Sequence, residues 1–210
     1  MSQPQGHGNR LPVPRSVSGP HFFYKTRAPV LNTADAQVVI DAIRSCRKRP
    51  ADCHATQWRK NDPVFKRHRK RKEALARLTR AMQSFTGLRL EVEVIACRWV
   101  LPHVDDGFAG ESFYSVVLHT GPAEYVVQTM HTEPTSEGYP TVHYHREIVA
   151  VGDAFVFDPT TPHMAAPVEP HKEQMLILLQ MVVKDRNLAE RAALLKRLPA
   201  SWTAQRRDDC

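Results

Sequence analysis

Two kinds of hydrophobic pattern divide the chain into a helical first part and a strand-rich second part. Apolar positions three and four residues apart predict one helix over 34–47 and a second over 64–85. Residues 51–62, between these helices, are polar and are expected to form a loop. From Leu88 onward the pattern changes, and Leu90, Val92 and Val94 alternate with charged residues, as in a half-buried strand.

The second part of the chain is predicted to contain seven or eight short strands. An earlier aromatic segment, 22–30, is also a candidate strand. The strands predicted after residue 88 are an apolar run over 92–100 and the segments 113–118, 124–129, 142–151, 154–157, 164–168 and 175–183. Turn residues such as Asp106-Gly107 and Gly152-Asp153 separate them. Many short strands after two helices predict an α+β fold, an antiparallel two-sheet barrel braced by the helices.

At 210 residues, the chain is expected to form one domain with a sizeable core. Its Pro-, Gly- and Ser-rich segment 1–20 predicts a disordered tail. Residues 21–87 are expected to be a basic helical part of the same domain, and 88–183 to be the barrel. The segment 184–210 is predicted to contain a last helix, capped by Asn187, and a tail.

The composition of the chain predicts the cellular compartment in which the protein is found. No apolar run approaches the length of a membrane span, and the first residues lack the apolar stretch of a signal peptide. The four cysteines form no Cys-x-x-Cys pair. Reduced thiols in a cytoplasmic protein are therefore expected.

The net charge of +7 is unevenly distributed along the chain. Fourteen Lys or Arg residues lie between Arg44 and Arg80, whereas Arg146 is the only one between Pro102 and Pro162. Such asymmetry suggests an anionic partner, with nucleic acid as one candidate, and a solvated helical face as the alternative. The densest cluster comprises Lys66, Arg67, Arg69, Lys70, Arg71 and Lys72.

Two short segments carry candidate metal chemistry. His103 and Asp105 follow an apolar strand and, being two residues apart, point to the same side of it. His163 follows a second apolar strand and the turn Asp158-Pro159-Thr160-Thr161-Pro162. If folding brings His163 to the first pair, two imidazoles and one carboxylate share one face of a metal. That arrangement is typical of non-haem Fe(II) oxygenases.

The order and spacing of these residues resemble those of the Fe(II)/2-oxoglutarate-dependent oxygenases. His163 lies sixty residues after His103, and Lys172 follows nine residues later. The segment 157–168 is most similar to the prolyl-hydroxylase-like branch, and the resemblance covers roughly 92–183.

The resemblance implies a double-stranded β-helix, a jelly-roll or cupin-like barrel. It implies Fe(II) held by His103, Asp105 and His163, with no separate catalytic residue. 2-Oxoglutarate is the implied co-substrate, its distal carboxylate held by Lys172, and Tyr114 is a further predicted cofactor-binding residue. O₂ is the oxidant, and ascorbate is a supporting reductant. The implied reaction is hydroxylation or oxidative demethylation of an unidentified substrate.

Two alternatives remain open. His143 and His145, with Glu147, form a cupin-like metal set, and a cupin-type enzyme would need no 2-oxoglutarate. If they do not bind metal, His143 and His145, together with His119, are candidates for the substrate pocket. A non-catalytic barrel that binds nucleic acid through its basic helix is the other alternative.

Overall fold

The computed structural model describes residues 23–26, 28–46, 54–133, 138 and 141–184. The tail predicted over 1–20 and the helix predicted from Asn187 lie outside these residues, and the domain boundaries remain predictions. No helix in the described part of the chain is long and apolar enough to span a membrane.

Besides one short 3-10 helix (Asp106–Phe108), three α-helices and ten strands lie within the described residues. In chain order they are β1 Phe23–Thr26, α1 Thr33–Arg44, β2 Thr56–Trp58, α2 Pro63–Lys66, α3 Arg69–Thr86, β3 Val92–Cys97, β4 Val100–His103, β5 Glu111–His119, β6 Tyr125–Glu133, β7 Thr141–Val149, β8 Ala154–Phe157, β9 His163–Pro167 and β10 Leu176–Lys184.

The strands form two antiparallel sheets that face each other. The larger sheet has the order β1-β8-β5-β10-β3-β2, and the smaller has the order β4-β9-β6-β7. From β3 to β10, the chain alternates between the two sheets, except that β6 and β7 both belong to the smaller one, as in a jelly roll. The predicted fold class, a double-stranded β-helix braced by helices, is confirmed.

Alternating side chains of the larger sheet serve two separate cores. On β5, Val116 and Leu118 pack with buried residues of α1 and α3, whereas Phe113 and Val117 face the inside of the barrel. The helices therefore cover one face of this sheet and the smaller sheet covers the other, which explains why most β10 positions are apolar. The barrel interior is left as a separate space between the sheets.

The structure corrects two of the predicted strands and loops. The apolar run over 92–100 is two strands, because the chain crosses from the larger to the smaller sheet at Arg98-Trp99, between β3 and β4. The predicted polar loop over 51–62 contains β2, whose Thr56 and Trp58 are buried while Gln57 between them is exposed. Three residues are too short a run for alternation to be recognised as a strand.

The helix predicted over 64–85 is divided in two. The extended backbone of His68, at φ −124° and ψ 104°, separates α2 from α3. Gly87 then ends α3 in the left-handed conformation, at φ 76°, which glycine adopts without steric cost.

One partly buried ion pair holds the two long helices together. Asp35, in the first turn of α1, is 7% exposed and accepts hydrogen bonds from Arg77 of α3 at 2.7 and 2.9 Å. The Arg77 guanidinium holds the pKa of the Asp35 carboxyl below its usual 3.8. The ionised form therefore stabilises the folded state.

The substitution Asp35→Asn should lower the free energy of unfolding by about 1–3 kcal/mol at pH 7, because Arg77 loses its charged partner. Since the pKa of Asp35 is lowered by folding, its stabilisation is fully present above pH 3.8 and is lost as the pH falls through the folded-state pKa. Urea unfolding at pH 7 and pH 3 measures both effects. Asp41→Asn, an exposed change on the same helix, is the control, and equal losses in the two variants would contradict the assignment.

Candidate metal centre

Pairing between β4 and β9 sets the position of the two histidines. His103 and His163 are direct partners in this antiparallel pair, so their side chains project from the same face of the sheet. The register shifts between Val100 and His103, where Leu101 and Pro102 interrupt the ladder. Proline is tolerated here because β4 is an edge strand, so its missing N–H leaves no neighbouring strand unbonded.

Asp105 completes a group of three potential metal ligands. Its Oδ1 lies 3.7 Å from Nε2 of His103, and its Oδ2 lies 3.5 Å from Nε2 of His163. The three ligand atoms lie within 4.8 Å of one another, and the imidazole centroids are 4.3 Å apart. The structure therefore brings together the three residues that the sequence singled out.

Backbone carbonyls orient both imidazoles. Nδ1 of His103 lies 2.8 Å from the carbonyl oxygen of Leu101, and Nδ1 of His163 lies 2.9 Å from that of Thr161. A carbonyl oxygen only accepts, so each Nδ1 carries the proton and donates it. Each Nε2 is then left with its lone pair directed toward Asp105, as a metal ligand requires.

A backbone hydrogen bond joins the two segments that carry these residues. The N–H of Asp105 donates to the carbonyl of Pro159 at 2.9 Å. The turn that contains Pro159 is itself shaped by Asp158, whose Oδ1 accepts from the N–H and the hydroxyl of Thr160 at 2.9 and 2.7 Å. The polar residues of this turn thus fix the position from which His163 enters β9.

Aromatic side chains form an apolar wall beside His163. The Phe157 ring lies 4.8 Å from the His163 ring and contacts Phe113 edge-on at 5.4 Å, and Phe108 contacts Phe113 at 4.9 Å. His163 is 8% exposed. Burial lowers the pKa of its imidazole below the usual 6.5, which favours the neutral form that binds metals.

The three residues line a cavity of about 250 Å³ between the sheets. Its wall is largely apolar, with Phe155, Leu178 and Val127 among the lining residues. Cys97 also lines it, and burial raises the pKa of this thiol to about 12. The potential metal ligands therefore lie in the wall of a cavity large enough for a small organic molecule.

Tyr114 and His119 do not reach this cavity. Tyr114 is fully buried on the opposite face of β5, in the core beneath the helices, where burial raises the pKa of its hydroxyl. Tyr114, for which a cofactor-binding role is predicted, therefore lies on the helix side of the larger sheet and does not line the cavity. His119 is the last residue of β5, six residues beyond Phe113, or roughly 20 Å along a strand. Burial, reinforced by Arg44 of α1, lowers its pKa.

Lys172 also lies away from the cavity. It is exposed in the connection between β9 and β10, and its carbonyl accepts a hydrogen bond from Nη2 of Arg98 at 2.6 Å. With Arg98 and Trp99 it lines a shallow hollow on the outside of the barrel. The structure does not bring Lys172 to the three potential ligands.

The histidines of β7 share a face with the site but belong to the edge of the smaller sheet. His163 pairs with Thr129 of β6, and Thr129 pairs with His145, so the three form one row across the sheet. His145 lies 3.3 Å from Glu147, through Nε2 and Oε1, and both His143 and His145 are exposed. Among the described residues, His103, Asp105 and His163 are the only group close enough to share a metal, so the cupin-like set is not assembled.

The six basic residues lie on α2, on the short link after it and on the first turn of α3. Five of them are exposed, and Arg71 is half-buried with bonds to Val64 and Ser45. Arg69 pairs with Glu73 at 2.7 Å. Lys66, Arg67, Lys70 and Lys72 have no ion pair within the described part of the chain.

A polar row inside the barrel is a part of the site that the sequence pattern does not predict. Glu93 of β3 pairs in register with Gln180 of β10, and Gln180 pairs with Ser115 of β5. Glu93 and Gln180 line the cavity, and the Ser115 hydroxyl donates to Gln180 at 3.1 Å. A glutamine within the apolar run 176–183 is the available signal, but the alternation around Val92 and Val94 predicts that Glu93 faces solvent.

No family model and no curated protein matches the sequence. Solved structures do resemble it. The carbocyclase SnoK, described as a non-haem α-ketoglutarate-dependent enzyme of nogalamycin biosynthesis, is 11% identical with a TM-score of 0.48, over 79% of this chain and 80% of its own. The epimerase SnoN, solved with Fe³⁺, α-ketoglutarate and nogalamycin RO, is 13% identical with a TM-score of 0.48, over 79% of each chain.

A Pseudomonas putida prolyl-4-hydroxylase is also similar, at 13% identity and a TM-score of 0.42, over 80% of this chain and 94% of its own. These neighbours include oxygenases of the superfamily that the sequence resembles, and one prolyl hydroxylase. Their identities are low, and the fold assignment follows from the strand order itself.

We expect His103 and His163 both to be protonated on Nδ1 in the metal-free protein at neutral to alkaline pH, because each Nδ1 faces a carbonyl oxygen. Long-range ¹H–¹⁵N correlation spectra distinguish this tautomer from the Nε2–H form that free histidine favours. His54, which is exposed, should show the ordinary tautomer mixture and serves as the internal control. Protonation of Nε2 in both site histidines would contradict the proposed orientation.

Proposed function

We propose that this protein is a mononuclear non-haem Fe(II) oxygenase that uses a 2-oxo acid as co-substrate. The observation that supports the proposal best is the convergence of two Nε2 atoms and one carboxylate at the wall of a largely apolar cavity between the sheets. Two histidines and one carboxylate on one face of a metal leave the opposite positions open, as in Fe(II) oxygenases.

The three potential ligands fit iron in chemical type as well as in number. Imidazole and carboxylate ligands suit Fe(II), whereas a thiolate-rich site would favour zinc or an iron–sulfur cluster. Cys97 lines the same cavity, but it does not belong to the group of side chains that are close enough to share a metal. Bound Fe(II) supplies the open positions and the electrons that activate O₂.

In the proposed reaction, each oxygen atom of O₂ enters a different product. One enters a C–H bond of the substrate, and the other enters the carboxylic acid that remains after the 2-oxo acid loses CO₂. Within this scheme His103, Asp105 and His163 hold the metal. Phe108, Phe113 and Phe157 exclude water from its apolar side, which protects a reactive centre from side reactions. The primary substrate is unidentified.

2-Oxoglutarate is the co-substrate that the family resemblance implies. The cavity volume is sufficient for it, and the site has room for a chelating keto acid at the metal. The predicted anchor for its distal carboxylate, Lys172, lies in the outer hollow with Arg98 and Trp99. The described part of the protein thus supports a 2-oxo acid at the metal more strongly than it supports this particular acid.

The metal centre is tested by titrating the purified protein with Fe(II) in the absence of oxygen and measuring the affinity by calorimetry. His103→Ala and His163→Ala should each weaken binding by more than about 100-fold, since loss of an outer-shell partner alone costs 10- to 100-fold. Asp105→Ala should weaken it less, because two imidazoles remain. His171→Ala, in an exposed loop, is the matched control. Wild-type affinity in the His103→Ala, His163→Ala double variant would refute the metal site.

A second proposal concerns the basic surface formed by Lys66, Arg67, Lys70 and Lys72. These side chains are exposed and close in sequence, at the end of α2, on the link after it and in the first turn of α3, so their like charges repel one another. An anionic partner such as nucleic acid would offset this repulsion. The surface belongs to the helical layer, on the far side of the larger sheet from the cavity.

Nucleic-acid binding by this surface should weaken steeply with salt, because each neutralised phosphate releases counterions. Changing the four residues to Gln should reduce the slope of log K against log salt by about 0.9 for each phosphate of duplex DNA that the variant no longer neutralises. Fluorescence anisotropy with labelled DNA and RNA measures the slope, and Lys184→Gln is the control. If the wild-type protein shows no salt-dependent binding, the surface is a solvated helix face. Iron affinity should be unchanged in all variants.

A further inference from the structure

The inner wall of the cavity carries a polar row whose charge is already neutralised. Glu93, the acidic member of the row, is 7% exposed. Its Oε1 accepts from Nε of Arg59 at 2.6 Å, and its Oε2 accepts from the side-chain amide of Gln57. Arg59 approaches from the solvent side, since its side chain is 61% exposed and does not line the cavity.

The rest of the row is uncharged. The Gln180 side chain lies next to Glu93 in the sheet register, and its Oε1 accepts the hydroxyl proton of Ser115. The next position along this row is Phe155 of β8. It pairs in register with Ser115 of β5 and lines the cavity. A ligand that extends from the metal into the barrel therefore meets an amide and an aromatic ring.

The cavity wall contains no cation among the described residues. Its ionisable members are the three potential metal ligands, Glu93, and the thiol of Cys97. Burying an ionised carboxylate without a partner is unfavourable, because the charge loses its hydration and gains no compensating cation. A dicarboxylate bound at the metal would place its far carboxylate in such surroundings.

We infer that the co-substrate of this centre is a 2-oxo acid with an uncharged chain rather than 2-oxoglutarate. The inference rests on the proposed function, because it takes the keto acid to bind at the metal. The chain then lies against Phe155, Leu178 and Ile95, and burial of its methylene groups supplies the affinity that an ion pair supplies to a dicarboxylate. Gln180 accommodates a polar but neutral chain end.

Comparison of 2-oxopentanoate with 2-oxoglutarate tests the inference, because the two acids have the same chain length and differ only in the distal carboxylate. The Fe(II)-loaded protein is titrated with each acid without oxygen, and the visible metal-to-ligand charge-transfer band reports binding. We expect 2-oxopentanoate to bind roughly tenfold more tightly or better. Equal or tighter binding of 2-oxoglutarate would overturn the inference and leave the proposed function intact.

Other outcomes of the same titration separate the metal centre from the choice of co-substrate. If the protein does not bind Fe(II), the proposed metal centre fails and the inference fails with it. If Fe(II) binds but neither acid produces the band, the 2-oxo acid co-substrate is refuted, and with it the inference.

A charge-removing variant provides a second measurement. Glu93→Gln removes the carboxylate from the cavity and releases Arg59, so the preference should shift toward 2-oxoglutarate by roughly tenfold. Glu91→Gln is the matched control, since Glu91 is exposed, does not line the cavity and pairs with Lys60 at 4.0 Å. An unchanged preference in Glu93→Gln would contradict the role given to the polar row. If this variant does not fold, the wild-type comparison of the two acids still decides the question.

Discussion

The antiparallel pairing of β4 with β9 is the constraint on which the candidate centre depends. It places His103 opposite His163 although sixty residues separate them. The hydrogen bond from Asp105 to Pro159 extends that pairing by one step beyond the strands and brings the carboxylate to both rings. A shift of the pairing by one residue would turn one imidazole to the other face of the sheet. The register shift at Leu101-Pro102 therefore determines which residue of β9 lies opposite His103.

The two faces of the larger sheet differ in what they contact: one packs against the helices, and the other borders the cavity with the potential metal ligands. The outer face is covered by α1 and α3, and its core includes many of the fully buried large side chains. The inner face borders the cavity and carries the buried polar residues Glu93, Gln180 and Ser115. Because the helix-side core is extensive and its helices are clamped by Asp35 and Arg77, the barrel interior is free to hold a polar row and a hollow.

The fold and the three potential ligands could be predicted from the sequence because both depend on order and alternation. Strand periodicity does not show which face of a strand points inward, so it places neither Tyr114 on the helix side of β5 nor Glu93 inside the barrel. The division of 92–100 into β3 and β4 depends on which sheet each half joins, a long-range property that a local apolar run does not encode. Lys172 has the spacing of an anchor, but the direction of a loop side chain follows from the packing around it.

The pKa of about 12 at Cys97 has a consequence for the reactivity of this thiol. Thiols react with oxidants and alkylating agents as thiolates, so burial makes the Cys97 sulfur unreactive while the barrel is closed. The same property makes Cys97 a natural reporter of barrel opening, because its alkylation becomes fast only when the sheets separate and water reaches the sulfur.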